Sequence, residues 1–369
     1  MRKDSARKAP FIDLTESNPT HCGFSAISLE ILKPLSDAHN LSYQPDPRGS
    51  FAAREAVCRY YAEKKINIAP DQVLLTASTS EAYSFVFKLL LDPSEPVALP
   101  SPSYPLLDSL LTLSDAEALR YRLCYNDGWH IDTADLEDAF KKGCKVSCVI
   151  NPNNPTGNFV RKNDRDHLNR LSSRHGAAIV SDEVFFDFQL DPRASPASFA
   201  GNKECLTFTL SGISKILALP QMKLSWIVVS GPETELREAL RRLEIIADTY
   251  LSVSAPSQTA LATWFGYRRE INHEISERTT ANYEFLEKAL KGRDDLLVLK
   301  PEGGWAAVLR CERGSDDETL ALSLLEKAKV LVHPGYLYDF DDEDVLVLSL
   351  LPPPERFREA IHRIQKALA

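Results

Sequence analysis

The stretch "LSGISKILALPQMKLSW", residues 210–226, places Lys215 and Lys223 in an otherwise apolar run. Lys215 follows a turn of small residues, and Lys223 precedes "LSWIVVSG", which reads as a buried strand. An ammonium group beside a core is costly without a partner or a task. Near a dry cavity a lysine loses basicity and becomes an amine nucleophile toward carbonyls. Any single lysine is more commonly a solvated side chain, so Lys215 takes its meaning from its neighbours.

Short apolar runs alternate with helix-like segments through the first two thirds of the chain, the pattern of a mostly parallel sheet covered by helices. Seven strands are expected: "QVLLTAS", "PVALPSP", "ALRYRL", "KVSCVINP", "AAIVSDEVF", "LTFTLSG" and "LSWIVVSG". Amphipathic helices fall between them, among them "STSEAYSFVFKLLL" and "DRDHLNRLSSRHG", the latter stopped by Gly176. From about residue 255 a long helix runs to about 291. The strands "DLLVLKP", "WAAVLR", "KVLVHPG" and "DVLVLSLL" follow, with a helix near 317–329 and another from about 354. The expected organisation is a large α/β domain over 46–255, a smaller α+β domain over 256–369 with its connecting helix, and a segment 1–45 packed on the smaller domain.

The 369 residues suffice for one large domain and one small one. A formal net charge of -9 argues against nucleic acid or an anionic membrane as partner. No apolar run is long enough to span a membrane, and "MRKDSARKAP" leads into "FIDLTESNPT" rather than an apolar signal core. Seven cysteines without a C-x-x-C pair fit a reducing cytosol. Cys144 and Cys148 match no metal spacing, and no metal is expected.

Ligands of open parallel sheets sit at the carboxyl ends of the strands, where the unusual polar residues of this chain cluster. In "TASTSEAY", Ser78, Thr79 and Ser80 open a helix with Glu81 three residues after Ser78. That pattern is a capping box and equally a cradle for an anion; the two are compatible. "INPNNPTG" forces a tight turn past a strand. Its asparagines either hold the loop or, at Asn154, donate to a ligand. Asp182 and Glu183 end the apolar strand of "IVSDEVFFDF". A buried carboxylate there needs a cation, either a salt-bridge partner or a protonated heterocyclic nitrogen.

In this order and spacing the motifs "YQPDPRGSFAAREAV", "LPSPSYPLL", "NPNNPTG", "SDEVF" and "SGISKILALPQMKLSW" resemble the class I and II aminotransferases, pyridoxal-phosphate enzymes of fold type I. The likeness covers nearly the whole chain. It implies that Lys215 is the Schiff-base lysine and proton shuttle, and that Asp182 pairs with the ring nitrogen of pyridoxal 5'-phosphate. It implies further that Asn154 bonds the ring's phenolic oxygen, that Tyr104 stacks on the ring, and that Ser78, Thr79, Ser211 or Ser214, and Lys223 hold the phosphate. Tyr43 would reach the phosphate of a neighbouring subunit, which makes the partner a second copy in a homodimer with shared sites.

The departures are equally specific. Phe185 stands where the family has a tyrosine, Lys223 where an arginine is common, and Ser78 where a glycine is usual. Val347, in "VLVLSLL", falls at the position of the arginine that binds the substrate carboxylate. Arg310, Arg48, His21 and Asn18 are the alternatives for substrate binding, and an apolar or aromatic amino compound is favoured over aspartate or glutamate. The implied reaction moves an amino group between an amino donor and a 2-oxo acid. A carbon–sulfur β-lyase and a non-catalytic cofactor-binding protein remain open, since the same lysine and aspartate serve all three.

Overall fold

The computed structural model describes residues 11–312, 314, 316–341 and 344–368. Residues 1–10, where the amino-terminal segment begins, lie outside them. Eight strands form one sheet in the order 73–76, 225–230, 207–212, 178–182, 146–150, 96–101, 117–125, 129–131. The first seven in this row are the strands expected from the sequence. The eighth, Trp129–Ile131, is an added edge, too short to show a period, and pairs antiparallel with Glu117–Tyr125. Ser225–Ser230 also runs antiparallel to both its neighbours, and the pairings from Thr207–Gly212 across to Glu117–Tyr125 are parallel.

Each central strand is buried on both faces, which explains why they read as continuous apolar runs. On one face Val73, Leu75, Trp226 and Val228 pack against Tyr60, Tyr61 and Trp264 from the helices Phe51–Glu63 and Ala255–Leu290. On the other, Leu74, Val180, Phe208 and Ile227 meet Tyr83, Phe87 and Leu243 from Thr79–Leu90 and Glu233–Tyr250. Helix Lys162–His175 ends at Gly176 in the left-handed conformation, as the sequence predicts.

Beyond the 36-residue helix Ala255–Leu290, a four-stranded sheet has the order 296–299, 306–311, 345–349, 333–334. Leu286, Leu309, Leu348 and Phe357 share its core. The expected single strand "KVLVHPG" is two. Val330–Leu331 pairs in parallel with Ile12–Asp13, whereas His333–Pro334 pairs antiparallel with Val345–Ser349. This switch at Val332 joins the amino-terminal segment to the small sheet. Ser349 seals the join, since its amide donates to Leu14 O and its hydroxyl to Glu16 O.

Candidate active site

Five parallel strands end at one edge of the large sheet, and the loops that leave them deliver Thr79, Tyr104, Asn154, Asp182, Ser214 and Lys215 to a single cavity of about 350 Å³. The opposite wall comes from the amino-terminal segment and the small sheet: Leu14, Thr15, Ser17, Trp305, Ala306, His333, Tyr338, Val347 and Ser349.

Asp182 closes the strand Ala178–Asp182. Residues 178, 180 and 182 share one face, and Ala178 and Val180 pack in the cluster that contains Tyr83. Two residues on, the Asp182 carboxylate therefore points at the same helix, and the Tyr83 hydroxyl donates to its Oδ2 at 3.3 Å. The amide of Val184 donates to Oδ1 at 3.1 Å. Asp182 is 5% exposed, and burial pushes its carboxyl up to about 6 against these two donors.

Lys215 lies in the short helix Ile213–Ile216 that begins directly after the strand Thr207–Gly212. Burial lowers its amine to about 8, and the charge of Asp182 opposes that shift. Its Nζ stands 5.3 Å from the Phe185 ring centroid and 5.2 Å from that of Trp305. The two rings meet edge to face at 5.1 Å. Gly212 is extended, so its glycine answers a close approach rather than a turn: a Cβ there would collide with the Ser225 side chain. Ser225 in turn lines the cavity.

Ser78 caps the helix Thr79–Leu90, accepting from the Glu81 amide at 3.1 Å, while Glu81 accepts from the Ala77 amide. The cap and the helix N-terminus coexist beside the cavity, with Thr79 facing it. In the loop after Ile150 the asparagines divide the work. Asn151 and Asn153 bond backbone oxygens of Ala197 and Pro102, while Asn154 faces the cavity.

Most of the remaining candidates lie away from the cavity. Ser211 is buried below the cavity and donates to Glu183 O; Ser214 is the serine of the pair that faces it. Lys223 is exposed and does not line the cavity. Tyr43 is 77% exposed and also stands outside it. Asn18 caps the turn Pro19–His21 through Thr20. Arg48 is held by Glu244, and His21 contacts Glu16. Arg310 is paired with Val345, four residues along its strand from Ala306, or about 13 Å. None of these four reaches the cavity.

Sequence reasoning did not single out Tyr83, Ser225, Trp305, His333, Tyr338 or Ser349. Tyr83 carried a readable signal, a phenol on the sheet-facing side of a helix. His333 and Tyr338 did not, because their placement depends on the strand switch at Val332.

The fit to pyridoxal 5'-phosphate follows from the donor set: a helix N-terminus for a phosphate, a buried carboxylate for a ring nitrogen, an amine of lowered basicity, an asparagine amide and flanking aromatic rings. A model of the family described as "Aminotransferase class I and II" matches residues 9–364. The chain belongs to that family, and it is a pyridoxal-phosphate-dependent aminotransferase. It is 26% identical over 373 residues to a glutamate-pyruvate aminotransferase of Haemophilus influenzae, covering 97% of this chain and 90% of that protein. It is 28% identical to an alanine aminotransferase of Mycobacterium bovis, covering 96% and 84%. In fold it matches a solved alanine aminotransferase from Pyrococcus furiosus with a TM-score of 0.90 at 23% identity, covering 98% and 92% of the two chains.

Proposed function

We propose that this aminotransferase exchanges the amino group of an apolar amino compound with a 2-oxo acid, and that Lys215 and Asp182 carry the chemistry. The carrying observation is the cavity itself, in which a buried Asp182 and a half-buried Lys215 face a wall containing Val347.

When bound, pyridoxal 5'-phosphate supplies an aldehyde that takes up amino groups and a ring that draws electrons from the carbon beside them. Lys215 holds the cofactor and moves a proton at Nζ. An amine lowered to about 8 is closer to working pH than an ordinary lysine, which favours proton transfer in both directions. Asp182 is oriented by Tyr83 and Val184, and there it would hold a proton at the ring nitrogen. Asn154 would orient the ring and Tyr104 would cover it, while Thr79 and Ser214 would receive the phosphate, with Ser78 contributing through its cap. Trp305 and Phe185 exclude water from Lys215 Nζ.

The names of the relatives, which include alanine and pyruvate, fit a small apolar side chain beside Val347. For Lys223 and Tyr43 we retain roles at the phosphate, the latter across a homodimer. Support for a second copy comes from the exposed Leu29, Leu41, Tyr43 and Phe51, apolar side chains close in sequence. The cytosol is the compartment we propose, as the cysteine pattern favours. Among the described residues no helix is long and apolar enough to cross a membrane.

The test supplies amino donors with a 2-oxo acid and follows the nitrogen. Its appearance on the acceptor supports transfer, while release as ammonia supports elimination and refutes the proposal. Sedimentation of the purified holoprotein tests the dimer.

A further inference from the structure

Whatever the amino donor, a 2-oxo acid brings a carboxylate into the cavity, and an unpartnered carboxylate among apolar groups is strongly disfavoured. Among the described residues two basic side chains line this cavity. Lys215 is committed to the Asp182 side, and His333 stands on the small-sheet wall.

The register fixes where His333 lies. It is the strand partner of Val347, and side chains directly opposite on antiparallel strands share a face with Cβ atoms about 4.5–5.5 Å apart. The imidazole therefore occupies the place next to the one that sequence resemblance gives to a carboxylate-binding guanidinium. Its Nδ1 meets the Tyr338 hydroxyl at 3.0 Å. Tyr338 is itself anchored to the large domain, since its carbonyl accepts from the Ser103 amide at 2.8 Å and the next carbonyl, of Asp339, accepts from Ser101 Oγ at 2.7 Å. Burial and neighbouring Tyr104 push the Tyr338 phenol up to about 12, so it keeps its proton at neutral pH. A neutral imidazole that accepts that proton at Nδ1 carries its own on Nε2, and an imidazolium carries both.

Resting on the aminotransferase reading, we propose that His333, oriented by Tyr338, binds the substrate carboxylate in place of an arginine. One N–H directed by a phenol gives weaker, less planar recognition than a guanidinium fork, which favours substrates whose apolar part supplies the remaining affinity.

The test measures binding of 3-phenylpropanoate and its neutral isostere 3-phenylpropanamide to the holoprotein by calorimetry. His333→Phe is expected to weaken the carboxylate about tenfold or more while leaving the amide within about twofold, the size of one charge-assisted hydrogen bond. His333→Asn serves the same purpose should the phenylalanine variant fail to fold. Tyr338→Phe is expected to produce a smaller loss in the same direction. With Val347→Arg present, a guanidinium takes over, and the loss caused by His333→Phe should shrink to about twofold or less. Equal losses for carboxylate and amide, or none for the carboxylate, would overturn the assignment. Nitrogen transfer is scored separately. Carboxylate binding that depends on His333 without transfer would refute the aminotransferase reading alone, and transfer without such dependence would refute His333 alone.

Discussion

The Tyr83 hydroxyl reaches Asp182 Oδ2 across 3.3 Å, from the second turn of a helix to the last residue of a strand 99 positions later in the chain. Tyr83 is 1% exposed, so this phenol has no access to solvent as an alternative partner. Together with the Val184 amide it opposes the burial that pushes the carboxyl up to about 6. Tyr83→Phe should raise the Asp182 pKa further in the apoprotein and weaken cofactor binding about tenfold or more, as expected for one hydrogen bond to a charged group. The carboxyl is followed by isotope-edited infrared titration and the cofactor by equilibrium dialysis. An unchanged titration would show that the hydroxyl does not steer Asp182.

Phe185→Tyr adds a hydroxyl to a ring 5.3 Å from Lys215 Nζ. A further donor beside the cofactor's phenolic oxygen weakens that oxygen's hold on the lysine-linked proton. The visible absorption of the holoprotein should then titrate at lower pH, by about one unit, equivalent to roughly 1.4 kcal/mol. No shift, or an upward one, would place residue 185 away from that oxygen.

Much of this site could be read from the chain because its parts lie just past strand ends. Asp182, Asn154, Tyr104, Thr79 and Lys215 each follow an apolar run whose direction and length were legible, and a parallel sheet brings such positions together. The facing wall was not legible. His333 and Val347 meet only because one expected strand breaks at Val332 and its second half pairs with Val345–Ser349. Local pattern does not encode such a change of partner. Arg310 illustrates the converse error: charge marked it as a candidate, but its strand position carries it away from Ala306 and the cavity.

Glu183 gives a prediction about stability. It is 2% exposed and accepts from Ser198 Oγ, Phe199 N and Ser181 Oγ, yet burial raises its carboxyl from 4.5 to about 7. A carboxyl with a raised folded-state pKa holds its proton more tightly when folded. Its contribution is complete below about pH 4.5 and is lost as pH rises through about 7. Thermal melts of apoprotein should therefore show wild type losing ground to Glu183→Gln between these limits, each kcal/mol reading as roughly 1–2 °C for a chain of this length. A difference that is constant with pH would contradict the assignment.

Val347 predicts poor use of acidic substrates. Catalytic efficiency on aspartate and glutamate should fall below roughly 10⁴ M⁻¹s⁻¹. Val347→Arg should raise it about tenfold to a hundredfold by supplying a bidentate partner. Efficient wild-type turnover of either amino acid would mean that the cavity already meets acidic substrates well.

The most direct measurement follows ¹⁵N from labelled phenylalanine, supplied with pyruvate to the holoprotein, in wild type and Lys215→Ala. Label should appear in alanine with wild type and be absent from alanine with the variant, because on the proposed reading Lys215 would both hold the cofactor and move the proton. Label recovered only as ammonium, or transfer that persists without Lys215, would contradict the account.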